Sequence, residues 1–385
     1  MLLNYVLNVT SVHLKRLYYI NYILLVLAIS IFVIGLTLLY SAGDGSMEPW
    51  AKKQLIKFII SVCVFLLVAT INIRFWLGSS YYIYAFSLFL LVLVNFYGNT
   101  GIGSQRWLDL GYFNLQPSEL MKFSLILVLA RFFHREKQLG LWSNCKSFIY
   151  SLIIICFPAY LIFLQPDLGS SILVIIASIT ILFVIGLSIW FFISSAVLII
   201  ILAPLAWIFL LYDYQKNRIY TFLDPLRDPL GSGYHIIQSK IALGSGGIFG
   251  KGFLQGTQSH LSFLPEMQTD FIFTLLAEEF GIIGTFILLL LFIVLIFYSL
   301  IIGLISKSRF ACFVSIGVAI NIFYYVFINT AMVSGLIPVV GVPLPLVSYG
   351  GTSMICVMFG LGLVSNAYLF RNEVLPRYKD GFFGW

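Results

Sequence analysis

The chain has 385 residues, of which 61% are hydrophobic and only 10% are charged, and its mean hydropathy is +1.02. A soluble globular domain is typically about a quarter charged, so this composition excludes a water-soluble protein and requires lipid around much of its surface. The net charge of +7 is spread over many loops, which disfavours a nucleic-acid-binding protein and favours basic loops beside a membrane.

Long apolar runs without period-two alternation predict helices rather than a membrane β-barrel. Because a helix needs roughly 20 apolar residues to cross the hydrocarbon core, we predict an all-α integral membrane protein with about ten spans. We expect a single membrane domain over 1–385, with one long loop at 212–270 and a polar tail at 371–385. The predicted spans are 20–40, 55–71, 81–97, 116–133, 148–164, 168–187, 190–211, 271–303, 311–333 and 351–370.

The basic residues indicate the orientation of these spans. Most Lys and Arg residues of the short loops fall on one side, which is the cytoplasmic side if the N-terminus is inside. We therefore expect both termini in the cytoplasm. Four segments rich in Gly, Pro and acidic residues then face outward, and any chemistry should lie there: 98–116, 165–167, 212–270 and 334–350.

Two charged residues stand close together near the start of the predicted fourth span. Glu119 and Lys122 are three residues apart, so they share one face of a helix and can form an ion pair. The pair either anchors the helix end or belongs to a functional site, since ionisable groups in membrane segments are functional candidates. Asp167, in the turn before the sixth span, is likewise either a helix N-cap or a partner for a cation of segment 98–122.

The long outer loop contains the glycine-rich stretch LGSGGIFGKGFLQGTQ. Its spacing fails both the phosphate-loop and the dinucleotide-binding patterns. The stretch either holds an anionic headgroup through its amides and Lys251, or it is a surface loop whose glycines adopt unusual backbone angles. The five cysteines and four histidines show no metal-ligand spacing, so no metal site is predicted.

The stretch LPEMQTDFIFTLLAEEFG at 264–281 leads a polar segment directly into an apolar helix. Asp270 falls at the outer membrane edge, and Glu278 and Glu279 fall two turns deeper. A charge at that depth costs about 2.5–3.5 kcal/mol, so at least one of these carboxylates should face a polar cavity or a basic partner. Asp270 is either a functional acid or a helix cap, and Glu279 is either functional or part of a structural ion pair.

Prolines and glycines interrupt an apolar stretch at 332–353, just before the tenth span. Irregular backbone at the membrane edge persists only where it lines protein or a cavity. The segment, which includes Ser348, is either a re-entrant turn without chemistry or part of an outer site.

The motifs of the outer segments, taken together and in their order along the chain, resemble the SEDS family of membrane proteins over about residues 15–370. The elongation members of that family, rather than its division members, are most similar at FLPEMQTDFIF and MVSGLIPVVGVPLPLVSYGG. The resemblance implies ten helices with both termini inside, in agreement with the hydropathy pattern. The motifs that carry it are QRWLDL…QPSE, QPDLGS, GYHIIQSKIALGSGG…GKG, LPEMQTDFIF…AEEFG and PVVGVPLPLVSYGG.

The resemblance implies a peptidoglycan glycosyltransferase that polymerises lipid II on the outer face of the bacterial cytoplasmic (inner) membrane, in cell elongation and rod-shape maintenance. It also implies a class B penicillin-binding protein, a transpeptidase, as partner. The family's essential aspartate falls on Asp270, while Gln268 stands where the family usually has histidine, so no histidine is expected to be required there. Other functional positions of the family fall on Arg106, Trp107, Glu119, Lys122, Asp167, Glu279 and Ser348.

We hypothesise that Asp270 is the general base for attack of the GlcNAc 4-hydroxyl of lipid II on the anomeric carbon of the lipid-linked glycan. Outer cations would stabilise the diphosphate leaving group, and the candidates are Arg106, Lys122, Lys240 and Lys251. No nucleotide cofactor is needed, and the participation of a divalent cation stays open. The alternatives from other classes are a lipid II flippase, which needs a polar path through the bilayer, and a non-catalytic scaffold of the elongation complex.

Overall fold

The computed structural model describes residues 16–101, 104–109, 111, 114–135, 141–209, 213–228, 231–257 and 267–376, and this part of the chain is nearly all-helical. Glu266 of the 264–281 motif and residues 377–385 of the predicted tail lie outside the described residues. The long helices are α1 Tyr22–Ala42, α2 Ala51–Thr70, α3 Ile73–Tyr97, α4 Pro117–Arg135, α5 Leu141–Leu164, α6 Leu168–Ile185, α7 Ile189–Phe209, α10 Ile272–Ile305, α11 Arg309–Val333 and α12 Gly351–Leu369, and the shorter α8 and α9 are Asp213–Leu223 and Ser232–Ser245.

Each of the ten predicted spans overlaps one of these long helices, which confirms the class of multi-pass, all-α membrane protein. Within the described ranges, eight helices are long and apolar enough to cross a membrane. The remaining two long helices are α4 and α7. Helix α4 carries four Lys, Arg or Glu side chains, whereas α7 carries none over its 21 residues.

The outer surface of the helices is apolar. Phe96, Ile200 and Leu304 are 76%, 71% and 74% exposed, and they have many large apolar neighbours on the same surface. A monomeric soluble protein rarely exposes apolar patches of this extent, whereas lipid tails solvate them without cost. The helices therefore present their apolar side chains to the bilayer and keep polar groups inside.

Local sequence signals set several helix ends. Asn72 begins α3 as an N-cap whose side chain accepts from the amide of Arg74 at 2.9 Å. Pro117 opens α4, where its missing N–H is not needed. Gly186 closes α6 in the left-handed conformation, with φ of 99°, which glycine adopts without strain.

Helix α12 lies at the centre of the bundle and packs closely against α2. In its apolar window 78% of residues are buried, against 22% in α3. Two glycines allow α12 to approach its neighbours closely: a Cβ on Gly360 would lie 2.2 Å from the Phe123 ring of α4, and one on Gly362 would lie 2.9 Å from Val68 of α2. Small residues at helix contacts are the usual solution for packing within membranes, where no hydrophobic driving force brings helices together.

The outer segments contain regular structure that the sequence analysis did not predict. The expected loop 212–270 includes α8, a 3-10 turn at Pro225–Arg227, and α9. Segment 98–116 forms a small antiparallel sheet with the strand order β1 Asn99–Gly101, β2 Ser104–Asp109 and β3 Asn114–Leu115. These elements are too short for hydropathy to detect, yet they limit the freedom of the loops that carry the candidate site residues.

Helix α10 is broken at Gly281, where φ is 64° and ψ is −159°. The glycine-rich loop fills the break: the amide of Ile282 donates to the carbonyl of Gly247 at 3.0 Å, and a Cβ on Gly281 would lie 2.4 Å from the Gly250 nitrogen. Gly250 itself has φ of 81°. The expectation that these glycines serve unusual backbone angles is therefore confirmed.

Candidate active site

Asp270 lies in the turn just before α10, and neighbouring groups hold its main chain in place. Ser348 donates its Oγ proton to the carbonyl of Thr269 at 2.5 Å. Asn329, which is fully buried on α11, donates Nδ2 to the Asp270 carbonyl at 3.0 Å and to the Val342 carbonyl at 2.8 Å. Two separate elements, α11 and the segment 334–350, thus fix the backbone that carries the acid.

The side chain of Asp270 faces segment 334–350. It is half-buried, and a Cβ built on Gly341 would lie 3.3 Å from its Oδ2 atom. Gly341 has φ of 70°, a conformation that favours glycine, so a larger residue here would be strained and would crowd the carboxylate. The N-cap position of α10 is occupied by Phe271, so Asp270 does not occupy the helix-cap position considered above.

Segment 334–350 has no helix or strand, and side chains from several helices satisfy its backbone. The amide of Tyr349 donates to the carbonyl of Gln268 at 2.8 Å. Gln54, fully buried on α2, donates to the Ser348 carbonyl at 3.0 Å and accepts from the Gly350 amide at 3.3 Å. Irregular backbone is stable at this depth because protein surrounds it, as predicted.

Asp167 combines both roles that the sequence left open. Its Oδ1 accepts from the Ser170 amide at 3.2 Å, so it caps α6. The same oxygen lies 3.8 Å from the Arg106 guanidinium, and Gln116 donates to Oδ2 at 3.3 Å. Arg106 also donates to the Pro166 carbonyl. The sheet of segment 98–116 is therefore linked to the turn before α6.

The cluster of Asp167, Arg106 and Gln116 packs on the same backbone segment, 334–350, that faces Asp270. The amide of Gln116 donates to Thr352 in the first turn of α12 at 3.3 Å. A Cβ on Gly169 would lie 2.3 Å from the Val340 carbonyl, so the turn of Asp167 packs directly on segment 334–350. Val340 immediately precedes the glycine that faces Asp270. The two groups therefore lie around one short stretch of backbone.

Glu119 and Lys122 form the predicted ion pair, with 2.7 Å between Nζ and Oε1. Tyr325 of α11 completes the cluster: its hydroxyl lies 2.6 Å from the Lys122 ammonium and donates to the second oxygen of Glu119. The three residues are 1%, 4% and 0% exposed, so the pair lies inside the bundle and not at its surface. Tyr325 had no distinguishing signal in the sequence.

Lys251 and the two adjacent glutamates lie around the break in α10. Lys251 pairs with Glu278 at 2.6 Å, which supplies the basic partner expected for one of the deep carboxylates. Glu279 accepts from Ser41 of α1, and both of these residues are buried. The structural ion pair considered for Glu279 is therefore formed by its neighbour Glu278.

Two more candidates lie at the surface. Trp107 is partly exposed on β2, opposite Asn99 of β1. Lys240 is exposed on α9 and lies across Gly335, where a Cβ would fall 2.7 Å from its Nζ. Their substrate-binding roles stay predictions.

The sequence analysis did not select Gln54 and Asn329. Both are amide side chains in membrane helices, and the free-energy cost of burying an amide without hydrogen bonds was the signal that could have identified them. Over the described ranges, no group of three or more His, Cys, Asp or Glu residues is close enough to hold a metal ion.

Residues 15–373 match the family FtsW/RodA/SpoVE, described as "Cell cycle protein". The chain is 43% identical over 349 residues to the peptidoglycan glycosyltransferase MrdB of Escherichia coli (strain K12), covering 90% of this chain and 93% of that protein. It is 37% identical over 356 residues to stage V sporulation protein E of Bacillus subtilis (strain 168), covering 89% and 95%. The chain belongs to the FtsW/RodA/SpoVE family.

Solved structures resemble the fold over nearly its whole length. One is a chain from a study of the structural coordination of polymerization and crosslinking by a peptidoglycan synthase complex, with a TM-score of 0.76, 32% identity, and coverage of 94% of this chain and 99% of that chain. Another is the Thermus thermophilus rod shape determining protein RodA, with a TM-score of 0.68, 26% identity, and coverage of 92% and 98%.

Proposed function

We infer that this chain is a peptidoglycan glycosyltransferase that polymerises lipid II during cell elongation and rod-shape maintenance. Its similarity to MrdB over nine tenths of the chain supports this activity. A bundle of membrane helices suits substrates whose tails stay in lipid while their sugars reach water. The observation that carries the proposal is a half-buried carboxylate, Asp270, on a backbone held by Ser348 and Asn329.

In the proposed reaction, Asp270 accepts the proton of the GlcNAc 4-hydroxyl of lipid II. That oxygen forms a bond with the anomeric carbon of the lipid-linked glycan, and the bond from this carbon to the phosphate oxygen breaks. The electron pair leaves with undecaprenyl diphosphate. General-base assistance of this kind contributes about 10²–10⁴-fold to the rate when the base is well positioned.

The charge that develops on the diphosphate needs cations. Among the four candidates, Lys122 and Lys251 are held in close ion pairs at 2.7 and 2.6 Å. Arg106 is partly exposed and lies farther from its carboxylate, at 3.8 Å from Asp167, and Lys240 is exposed. We therefore assign direct contact with the leaving group to Arg106 and Lys240. Lys122 instead supports the site from within the bundle, and Lys251 holds the break in α10.

The arrangement in the cell is part of the proposal. The chain forms one domain in the bacterial cytoplasmic (inner) membrane, with both termini inside and segments 98–116 and 334–350 on the outer face. Its partner is a class B penicillin-binding protein, which fits the similarity to a peptidoglycan synthase complex that coordinates polymerization and crosslinking.

The test is polymerisation of lipid II by the purified protein with its transpeptidase partner. Asp270→Asn keeps the size of the side chain and removes the base, so glycan synthesis should fall at least about 100-fold. Asp109→Asn is the matched control, because Asp109 is an exposed carboxylate on β2. Glycan chains of normal length and yield from Asp270→Asn would rule out the assignment of the base.

Reconstitution of the same proteins into proteoliposomes can test the transporter alternative. Fluorescent lipid II placed in the inner leaflet reports translocation while gel electrophoresis reports glycan products. The proposed function predicts products without accelerated translocation. Translocation that persists in Asp270→Asn, with no products from the wild type, would favour a flippase.

A further inference from the structure

Lys57 of α2 is a charged side chain at membrane depth that the site described so far does not include. It follows the first residue of the helix by six positions, or about 9 Å along the axis. It is half-buried, and no Asp or Glu of the described chain lies within ion-pair distance of its ammonium. With no anionic partner among the described residues, an ammonium at this depth is costly, so the position calls for a ligand.

The surroundings of Lys57 hold its side chain in one place. The ammonium lies 4.0 Å from the centre of the Tyr349 ring. Its stem crosses the first residue of α12, where a Cβ on Gly351 would lie 3.1 Å from Lys57 Cδ. A cation–π contact orients an ammonium but leaves its three N–H groups available to acceptors. The side chain is thus positioned before any ligand arrives.

The position of Lys57 is coupled to that of Asp270. Gln54, one helical turn earlier on the same face of α2, bonds to both sides of the Tyr349 residue, at the Ser348 carbonyl and the Gly350 amide. The amide of Tyr349 in turn bonds the carbonyl two residues before Asp270. One short stretch of backbone therefore separates the cation from the proposed base.

The electrostatics at this point favour an anion. The N-terminal turn of α12 has no side-chain cap and no acidic residue, and its free amides carry partial positive charge. A lysine beside such a turn is repelled by it, so the combined positive charge is relieved only when an anionic group binds.

We propose that Lys57 binds the diphosphate of a lipid-linked substrate beside Asp270. The inference rests on the proposed function, which supplies the diphosphate chemistry, and it adds a substrate-contacting residue that lies on none of the family motifs considered above. The observation that carries it is a half-buried ammonium that pairs with no carboxylate in the described ranges. Tyr349 orients this ammonium, and Gln54 couples it to the backbone of Asp270.

Binding of undecaprenyl diphosphate to the full-length protein in nanodiscs tests the proposal. Lys57→Met keeps the packing on Gly351 but removes the charge, so Kd should rise about tenfold or more, because charge-assisted bonds to phosphate are the stronger kind. Lys57→Arg should stay within about threefold of the wild type. Undecaprenol, which lacks the diphosphate, should bind all variants equally.

Lys53→Met is the matched control, since Lys53 is exposed on the same helix; its Kd should not change. Titrations with lipid II and with a lipid-linked tetrasaccharide distinguish the acceptor from the growing chain, and a weakened affinity for either supports the proposal. Unchanged affinity of Lys57→Met for both lipids overturns it, while intact binding without polymerisation by the wild type contradicts only the proposed function.

A measurement on the wild type removes any dependence on how the variants fold. Acetylation of lysines by an N-hydroxysuccinimide ester, mapped by mass spectrometry, should slow about fivefold or more at Lys57 when undecaprenyl diphosphate saturates the protein, by mass action on the bound form. Lys53 should react at the same rate with and without the lipid. Equal labelling of Lys57 in both conditions would refute the contact.

Discussion

Inside the bundle, Glu119, Lys122 and Tyr325 are stable only because they satisfy one another. Removing ions from water is costly, and a buried pair recovers that cost only with good geometry and further hydrogen bonds. The Tyr325 hydroxyl supplies those bonds to both ions. The tyrosine is therefore part of the charge cluster and not only a packing group.

We expect Tyr325→Phe to lower the free energy of unfolding by about 1–2 kcal/mol, because buried charged atoms lose a partner. Scanning fluorimetry of the purified protein in detergent measures the change. Tyr324→Phe is the control on the same helix, since its hydroxyl bonds Thr180 in a less buried setting, at 2.8 Å. If the control destabilised the protein as much as Tyr325→Phe, the hydroxyl of Tyr325 would have no special role.

Asn329 should matter for the rate of reaction more than for substrate binding. Asn329→Leu removes the donor that holds the Asp270 carbonyl, so we expect kcat to fall about tenfold or more, with KM little changed, because small displacements of a base are costly. Steady-state polymerisation assays separate the two constants. A rise in KM alone would show that Asn329 acts on substrate binding instead.

Asn321, two turns earlier on α11, offers the matched control. It is 1% exposed, and both polar atoms of its side chain lack a hydrogen-bond partner in the described part of the chain. Asn321→Leu should therefore leave the polymerisation rate near that of the wild type and should not reduce stability, because it removes an unsatisfied buried amide.

Among the elements, α10 is interrupted at a single residue, Gly281. Its break at Gly281 lets the backbone of the glycine-rich loop complete the exposed hydrogen bonds, with the Lys251 amide donating to the Glu278 carbonyl at 2.9 Å. Kinks in helices arise where such insertions replace the regular hydrogen-bond ladder. The loop and the helix therefore stabilise each other.

Gly281→Ala should disrupt this junction. The new Cβ meets main-chain atoms of the loop, 2.4 Å from the Gly250 nitrogen, at a φ that alanine avoids, so we expect a loss of about 2–4 kcal/mol of stability. Limited proteolysis should then cut at residues 246–257 well before it cuts the wild type. Gly78→Ala is the control, because nothing lies within 4 Å of its Cβ position. Equal protease resistance of both variants would contradict the role of the break.

Hydropathy predicted the long helices well because an apolar run of about 20 residues has few other solutions in a bilayer. It did not predict α8 and α9, which have 11 and 14 residues of mixed polarity and so give a weak signal. The residue types of Asp270 and Ser348 marked them as candidates. Their connection through Thr269, 79 residues from Ser348, is a product of tertiary packing that no local pattern contains.

For the whole molecule, the orientation in the membrane decides on which side of the bilayer the proposed site lies. Replacing Asp109 or Asn372 by cysteine in a cysteine-free background puts an exposed thiol on β2 or just after α12. A membrane-impermeant maleimide added to spheroplasts should label position 109 and leave position 372 unlabelled until the cells are lysed. The reverse pattern would place both termini outside.

The order of the chain has a consequence for biosynthesis. The ribosome makes the turn of Asp270 before the residues that hold it: Ser348 and Tyr349 are translated only after α10 and α11 have been made. Until then, a nascent chain in the membrane already contains the acid without the backbone that positions it. The protein therefore becomes competent only at the end of its own synthesis, and a product truncated before residue 348 lacks these anchors.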